Sequence, residues 1–496
     1  MQKPERSPTT LPPKPAAVVE THISTLFFVG DRVFKLHKPV QFEFLDFRDR
    51  EVRRVDCQRE VALNRRLAPD VYLGVADVEL DGEPLDHMVV MRRLPEDRRL
   101  TTIASEGEDI AGCLRRVAEV LASFHGGAAR SPEISRAATG AALRDGWEAN
   151  FLETERFVGT VLDDADDAEI RMRALRWVDG RGELLSARIA GGRVCDGHGD
   201  LQADDIFCLD DGVRILDCLE FSDWLRYVDV CADVAFLAMD LERLGFLEEA
   251  DRFLLDYQEL ANDRFPDPLL HHYLAARAYV RAKVCCLRSA QGALGTATQA
   301  RTFQRIAVEH LRQSQVSLVL IGGLPGSGKS TLASGLGAAR GWTVLRSDEV
   351  RRETSGPIAA RIAQDPTGHY GPSATDAVYG ELLRRAEQSL RQAGSVIIDA
   401  SWIDARHRGA AREVAARTSS ELVEICCEVS PEEADRRILR RLGGGTSASE
   451  ATPEVREVMS RRMDPWQSAS IIDTSRREPA EAVAAAETAL ASLQIL

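Results

Sequence analysis

Nowhere in these 496 residues does an apolar run reach the roughly 20 residues that a membrane-spanning helix needs. The opening Met-Gln-Lys-Pro-Glu-Arg-Ser-Pro lacks the apolar core of a secretory signal. Prolines at 4, 8, 12, 13 and 15 make residues 1–16 read as a disordered tail. A cytoplasmic chain with no membrane partner is therefore expected. Positive charge is also short. Lys and Arg number 63 against 78 Asp and Glu, a formal net charge of −15. Nonspecific nucleic-acid binding rests on a positive field, so a nucleic-acid partner is not expected. The ten cysteines lack metal-ligand spacing, and the adjacent pairs Cys285-Cys286 and Cys426-Cys427 sit in apolar runs. They read as buried, reduced thiols. No internal repeat is visible, and no feature specifies an oligomeric state.

What remains is ordinary for a globular chain, with 44% hydrophobic and 28% charged residues and length enough for two or three domains. Residues 17–40 alternate in strand fashion about a turn at Gly30-Asp31. Residues 51–67, 109–127 and 141–159 read as helices, 71–78 and 87–92 as strands, and 235–312 as almost wholly helical. Strands before helices indicate an α+β unit. At Val316 the character changes. Strands are expected at 316–321, 342–346, 395–399 and 421–428 with helices between them, the signature of a parallel sheet. The chain divides on this reading into 17–312 and 313–496.

Two sets of phosphoryl-transfer residues follow. Gly323-Leu324-Pro325-Gly326-Ser327-Gly328-Lys329-Ser330, then Thr331, fits the P-loop pattern without a mismatch. Such a loop turns backbone N–H groups toward phosphates at a helix N-terminus. Lys329 would reach the β/γ-phosphates and the Ser330 hydroxyl a Mg²⁺ ion. Asp348 falls near the end of the next strand, where a base or orienting group for an acceptor hydroxyl belongs, although Ser-Asp there also suits a helix cap. Val-Ile-Ile-Asp399 is an apolar strand ending in a carboxylate suited to Mg²⁺, with a buried capping role as the plainer alternative. Arg436, Arg437, Arg440 and Arg441 precede a Gly/Ser stretch, as in a lid over phosphates; Arg437 and Arg441 are the chosen contacts.

Earlier in the chain, His198-Gly-Asp200 is followed by Asp205 and by Ile-Leu-Asp217. Asp200 would accept or orient a hydroxyl proton, and Asp205 and Asp217 would bind Mg²⁺. Arg226 and Asp233 are candidates to brace this loop. Phe236, Leu237 and Met239 read as core, and His22, His125, His271 and His272 as structural. The acidic run Asp163–Glu169 reads as a loop.

The C-terminal motifs resemble the small P-loop kinases that include polynucleotide kinase, gluconate kinase, chloramphenicol phosphotransferase and zeta toxins. The N-terminal motifs look like the aminoglycoside phosphotransferase branch of the protein-kinase-like fold, with Asp205 where that pattern has Asn. By that resemblance Lys35 contacts the α/β-phosphates, with Lys38 as its rival, Glu60 pairs with the lysine, and Met88–Pro95, with Val90 and Met91 in it, suits a hinge whose backbone hydrogen-bonds adenine. The order of modules resembles the bacterial bifunctional aminoglycoside phosphotransferase-like/ATP-binding proteins, most of all their actinobacterial members. The implied fold is a protein-kinase-like α+β domain followed by an α/β P-loop kinase with a parallel sheet. The implied activity is ATP- and Mg²⁺-dependent phosphoryl transfer to a small-molecule hydroxyl. A regulatory ATP-binding protein is the alternative, and an aminoglycoside kinase and a nucleic-acid end kinase are lesser ones.

Overall fold

The computed structural model describes residues 16–21, 23–42, 45–353, 372–443, 451–475 and 477–493. All but the last residue of the expected tail, His22, and the Gly/Ser stretch after Gly443 lie outside them. The chain forms two compact units, Met1–Ala138 with Arg188–Phe265, and Thr139–Ala187 with Pro266–Leu496.

The first unit is built on an antiparallel sheet in the order β1-β2-β3-β7-β6. Its strands are β1 Ala17–Glu20, β2 Ser24–Val29, β3 Arg32–His37, β6 Tyr72–Leu80 and β7 Glu83–Arg92, and the short pair β4 Gln41–Phe42 and β5 Leu45–Asp46 follows β3. Gly30 takes φ +59°, as the tight turn between β2 and β3 requires. Alternation along β3 buries Val33, Lys35 and His37 on one face. Helix α1, Arg50–Asn64, is capped by Asp49, whose side chain accepts the Glu51 N–H. Its buried side carries Arg53, Asp56, Cys57, Glu60, Val61 and Asn64, the helical spacing of one face. Further on, β8 Val194–Asp196 pairs with β11 Tyr227–Asp229, and β9 Ile206–Leu209 forms a hairpin with β10 Gly212–Ile215. Helix Val230–Arg243 behind them is buried over most of its length, Phe236, Leu237 and Met239 included.

In the second unit five parallel strands lie in the order β13-β14-β12-β15-β16: β12 Ser317–Gly322, β13 Thr343–Arg346, β14 Val396–Asp399, β15 Glu421–Glu428 and β16 Ser470–Asp473. Val319, Ile321, Ile397, Val423 and Ile425 pack with Leu332 and Leu336 of helix Lys329–Arg340 into a dry core. That core fixes the carboxyl ends of β12, β13 and β14, from which the site is built. The architecture is thus the expected one, an α+β fold followed by an α/β fold with a parallel sheet behind the P-loop.

The second unit takes residues 139–187 together with those from 266 onward. Within it Arg176 reaches Glu421 at 2.7 Å and the Ser420 carbonyl at 2.9 Å, and a Cβ on Gly180 would lie 2.3 Å from the Thr418 carbonyl oxygen. Two expectations change. The acidic run is not a loop: Asp163 caps helix Asp164–Gly180, and the acids of its first turn face the positive end of the helix dipole. Finally, Cys113 and Cys208 form a disulfide, while the other eight cysteines are free and buried.

Candidate active sites

In the first unit, Lys35 Nζ donates to Glu60 Oε1 at 2.9 Å and to Asp217 Oδ1 at 3.3 Å. Burial opposes the lysine charge, but Glu60 and Asp217 outweigh it and hold the ammonium well above the ordinary range. Burial likewise pushes Glu60 up, and Lys35 and His37 bring it down to about 2. Lys38, the rival, instead binds Glu20 and the Thr21 carbonyl at the surface.

The loop bearing Asp200 is held from behind by one helix. Asp233 accepts the N–H groups of His198 and Gly199 at 2.7 and 2.9 Å, and Asp240 that of Ala203 at 3.0 Å. His125 bridges Asp233 and Tyr257, so that histidine is structural. Arg226 ties Asp196 at 2.9 Å and the Leu219 carbonyl at 3.0 Å, which braces the chain on both sides of Asp200. Gln202 donates to Asp200 Oδ2 at 3.0 Å. Asp217 sits at φ +62°, strained for a residue with a Cβ, and Tyr72 accepts its N–H at 3.2 Å. Burial raises Asp205 well above the carboxylate range, with Asp217 and Asp200 adding to it. Crowded carboxylates of this kind are what a cation relieves.

Val90 and Met91 are internal to β7, laddered to Phe34 and Val33 of β3 and to Gly74 and Tyr72 of β6. The next N–H groups are also taken, that of Arg92 by Val71 and that of Arg93 by Asp31, each at 2.8 Å. Of the expected hinge stretch, the backbone N–H groups of Arg92 and Arg93 are thus engaged within the fold. Glu220 was missed as a participant. It is buried, and burial lifts it to about 8 even though Lys35 pulls against that rise.

In the second unit, Gly323 at φ +136° and Gly326 at +84° wrap the loop. A Cβ would lie 2.5 Å from the Cys427 carbonyl oxygen at the first and 2.6 Å from that of Ala434 at the second. The Ser327 N–H donates to the Leu324 carbonyl at 3.1 Å, closing the turn around Pro325. Gly328 ends the loop, and Lys329, Ser330 and Thr331 open the following helix. Thr474, just past β16, donates to the Ser327 carbonyl at 2.8 Å, and Arg437 donates to the Thr474 hydroxyl and carbonyl at 3.1 and 2.9 Å.

Asp399 ends β14, buried, with Oδ1 lacking any hydrogen-bond partner among the described residues. Burial raises it, and Lys329 and Ser330 partly offset the rise. An orphaned buried carboxylate oxygen beside a hydroxyl fits a Mg²⁺ position. Asp348 lies inside the helical turn after β13, within 3.7 Å of Arg351, and not at its cap. A cavity of about 1730 Å³ is shared by Gly326, Lys329, Asp348, Asp399, Arg437 and Arg441. Arg441 reaches the Ala451 carbonyl at 3.0 Å, whereas Arg436 is exposed and paired with Glu433. On the same cavity, His407 stacks on Tyr379 at 4.0 Å and bonds Asp376 at 2.8 Å. Sequence spacing gave no sign of that group, because the helix after β14 brings it to Asp376. Among the described residues no group of three or more His, Cys, Asp or Glu could cage a cation. Each site suits an ion completed by phosphate oxygens and water.

The family model described as an AAA domain matches residues 318–466. Uncharacterized protein Rv2004c of Mycobacterium tuberculosis is 40% identical over 461 residues, 92% of this chain and 92% of that protein. The chain belongs to its family. Among solved structures, a gluconokinase from Sinorhizobium meliloti covers 36% of this chain and 93% of its own at 17% identity, with a TM-score of 0.29. A choline/ethanolamine kinase family protein from Mesorhizobium loti covers 61% and 87% at 13% identity, with a TM-score of 0.36. Among the described residues no helix is long and apolar enough to cross a membrane.

Proposed function

We propose that this protein is an ATP- and Mg²⁺-dependent phosphotransferase with two nucleotide sites, each serving transfer of the γ-phosphate to a hydroxyl of a small molecule. The observation that carries the reading is a repeated pairing of cation and carboxylate: Lys35 with Asp217 in one unit, and Lys329 beside the orphaned Asp399 in the other. Phosphoryl transfer asks a protein chiefly for positioning and charge stabilisation, and these groups supply both. Mg²⁺ would offset charge on the β- and γ-phosphates, held by Asp205 and Asp217 in the first site and by Ser330 and Asp399 in the second. Asp200 and Asp348 would orient the acceptor hydroxyl and take its proton, and Arg437 and Arg441 would meet phosphate oxygens. The order of modules supports membership of the bifunctional aminoglycoside phosphotransferase-like/ATP-binding proteins, without assigning an antibiotic as acceptor. A net charge of −15 disfavours a nucleic-acid acceptor. Eight buried free thiols favour a cytoplasmic setting, and the Cys113–Cys208 bridge counts against it.

The test is transfer from γ-labelled ATP into a metabolite extract, by wild type, Asp200→Ala and Lys329→Ala. Each variant should lose a distinct labelled product, and an identical product pattern in all three would overturn the reading. Asp205 favours a second reading, in which the first site binds nucleotide without turnover. Asp205→Asn in the Lys329→Ala background separates the two. A catalytic site keeps its turnover with altered metal preference. A silenced site gains turnover that the parent lacks.

A further inference from the structure

Strand β3 turns two nitrogen-bearing side chains toward α1. Lys35 and His37 stand two residues apart on the buried face, and α1 answers with Asp56 and Glu60, four apart on its own buried face. The oxygens of Glu60 are divided between the two side chains. Oε1 receives Lys35 at 2.9 Å, while Oε2 lies 3.4 Å from His37 Nε2. The same ring nitrogen is 3.5 Å from Asp56 Oδ2. His37 is fully buried, its Nδ1 is 3.2 Å from the Ser24 hydroxyl on β2, and its ring packs 4.8 Å from that of Phe47. His37 Nε2, Asp56 Oδ2 and Glu60 Oε2 have no hydrogen-bond partner among the described residues. They face one another.

Position explains the arrangement. Two buried acids one helical turn apart crowd each other. The His37 ring stands between Asp56 and Glu60 and meets the free oxygen of Glu60 while the other oxygen grips the lysine.

We infer that His37 is a positioning residue of the first nucleotide site, whose buried ring stands between Asp56 and Glu60 and thereby sets Lys35 for the phosphates of ATP. This rests on the reading of Lys35 as a nucleotide contact. Without the ring nitrogen, Asp56 and Glu60 crowd one another, Glu60 loosens its hold on Lys35, and nucleotide affinity at this site falls.

The test is calorimetric titration of Mg·ATP into the full chain carrying Lys329→Ala, with and without His37→Gln. Affinity should fall about tenfold in His37→Gln, a coupling of the size found within one ion-pair network. His37→Gln with Asp56→Asn relieves the crowding and should regain most of that affinity, which a merely structural loss would not do. It also carries the test if the single variant does not fold. Unchanged affinity in His37→Gln, or no recovery in the double variant, would overturn the inference alone. No binding of Mg·ATP with His37 intact would overturn the nucleotide-site reading and this inference with it.

Discussion

Glu220 shows how much one buried side chain decides. Burial moves its carboxyl from an ordinary 4.5 to about 8 in the folded chain. Between those values the folded state holds a proton that the unfolded state has released. Its contribution to stability is thus complete below about pH 4.5 and lost as pH rises through about 8. Glu220→Gln should melt higher than wild type at about pH 8.5 by a few degrees, with the difference vanishing below about pH 5. A pH-independent difference in melting temperature would contradict the assignment. Asp348 is a second case. It lies in the cavity of Lys329 and Asp399 and does not cap its helix, so Asp348→Asn should preserve the melting temperature and ATP binding while cutting phosphoryl transfer by ~10²–10⁴-fold. A variant that mainly melts earlier and still transfers phosphate would move the base elsewhere. Motif residues were legible in the sequence because their chemistry dictates spacing: Lys329 follows its glycines, and Asp217 follows Asp200. Glu220 and His37 were not, since neither occupies a motif position. His37 had one faint signal, its place two residues beyond Lys35 on the same strand face.

At the scale of elements, strands and helices were read closely where periodicity was strong. The strand expected at 421–428 is β15, residue for residue, and the helix expected at 109–127 runs Ala111–Gly127. The misses have physical causes. Asp163–Glu169 carries the charge of a solvated loop, but acids at a helix start are favoured by the dipole, and the segment nucleates Asp164–Gly180. Val90 and Met91 carry no mark in the sequence of the two strands that flank them. Cys113 and Cys208 stand 95 residues apart, and the packing of helix Ala111–Gly127 on the β9–β10 hairpin brings them together. Since β9 directly follows Asp205, that bond pins one end of the candidate metal loop. Replacing both cysteines by alanine should lower stability by about 2–4 kcal/mol, checked by urea unfolding without reductant. Unfolding that is indifferent to the pair and to added reductant would show that the bond contributes nothing.

For the whole molecule, the proposed function rests on two sites of different physics. One unit would grip phosphate with side chains supported by ion pairs, Lys35 on Glu60 and Asp217. The other would do so with a backbone loop whose glycines admit no Cβ, Gly323 and Gly326. Both motif sets were legible from the sequence alone. The path of the chain through two compact units was not, because it depends on contacts such as Arg176 with Glu421, between residues 245 apart. The most direct test of the account is the number of Mg·ATP molecules bound per chain, measured by equilibrium dialysis on wild type, on Lys35→Ala, on Lys329→Ala and on the variant carrying both. Two per wild-type chain, one for each single variant and none for the double variant is the predicted result. One per wild-type chain, abolished by Lys329→Ala and untouched by Lys35→Ala, would contradict it.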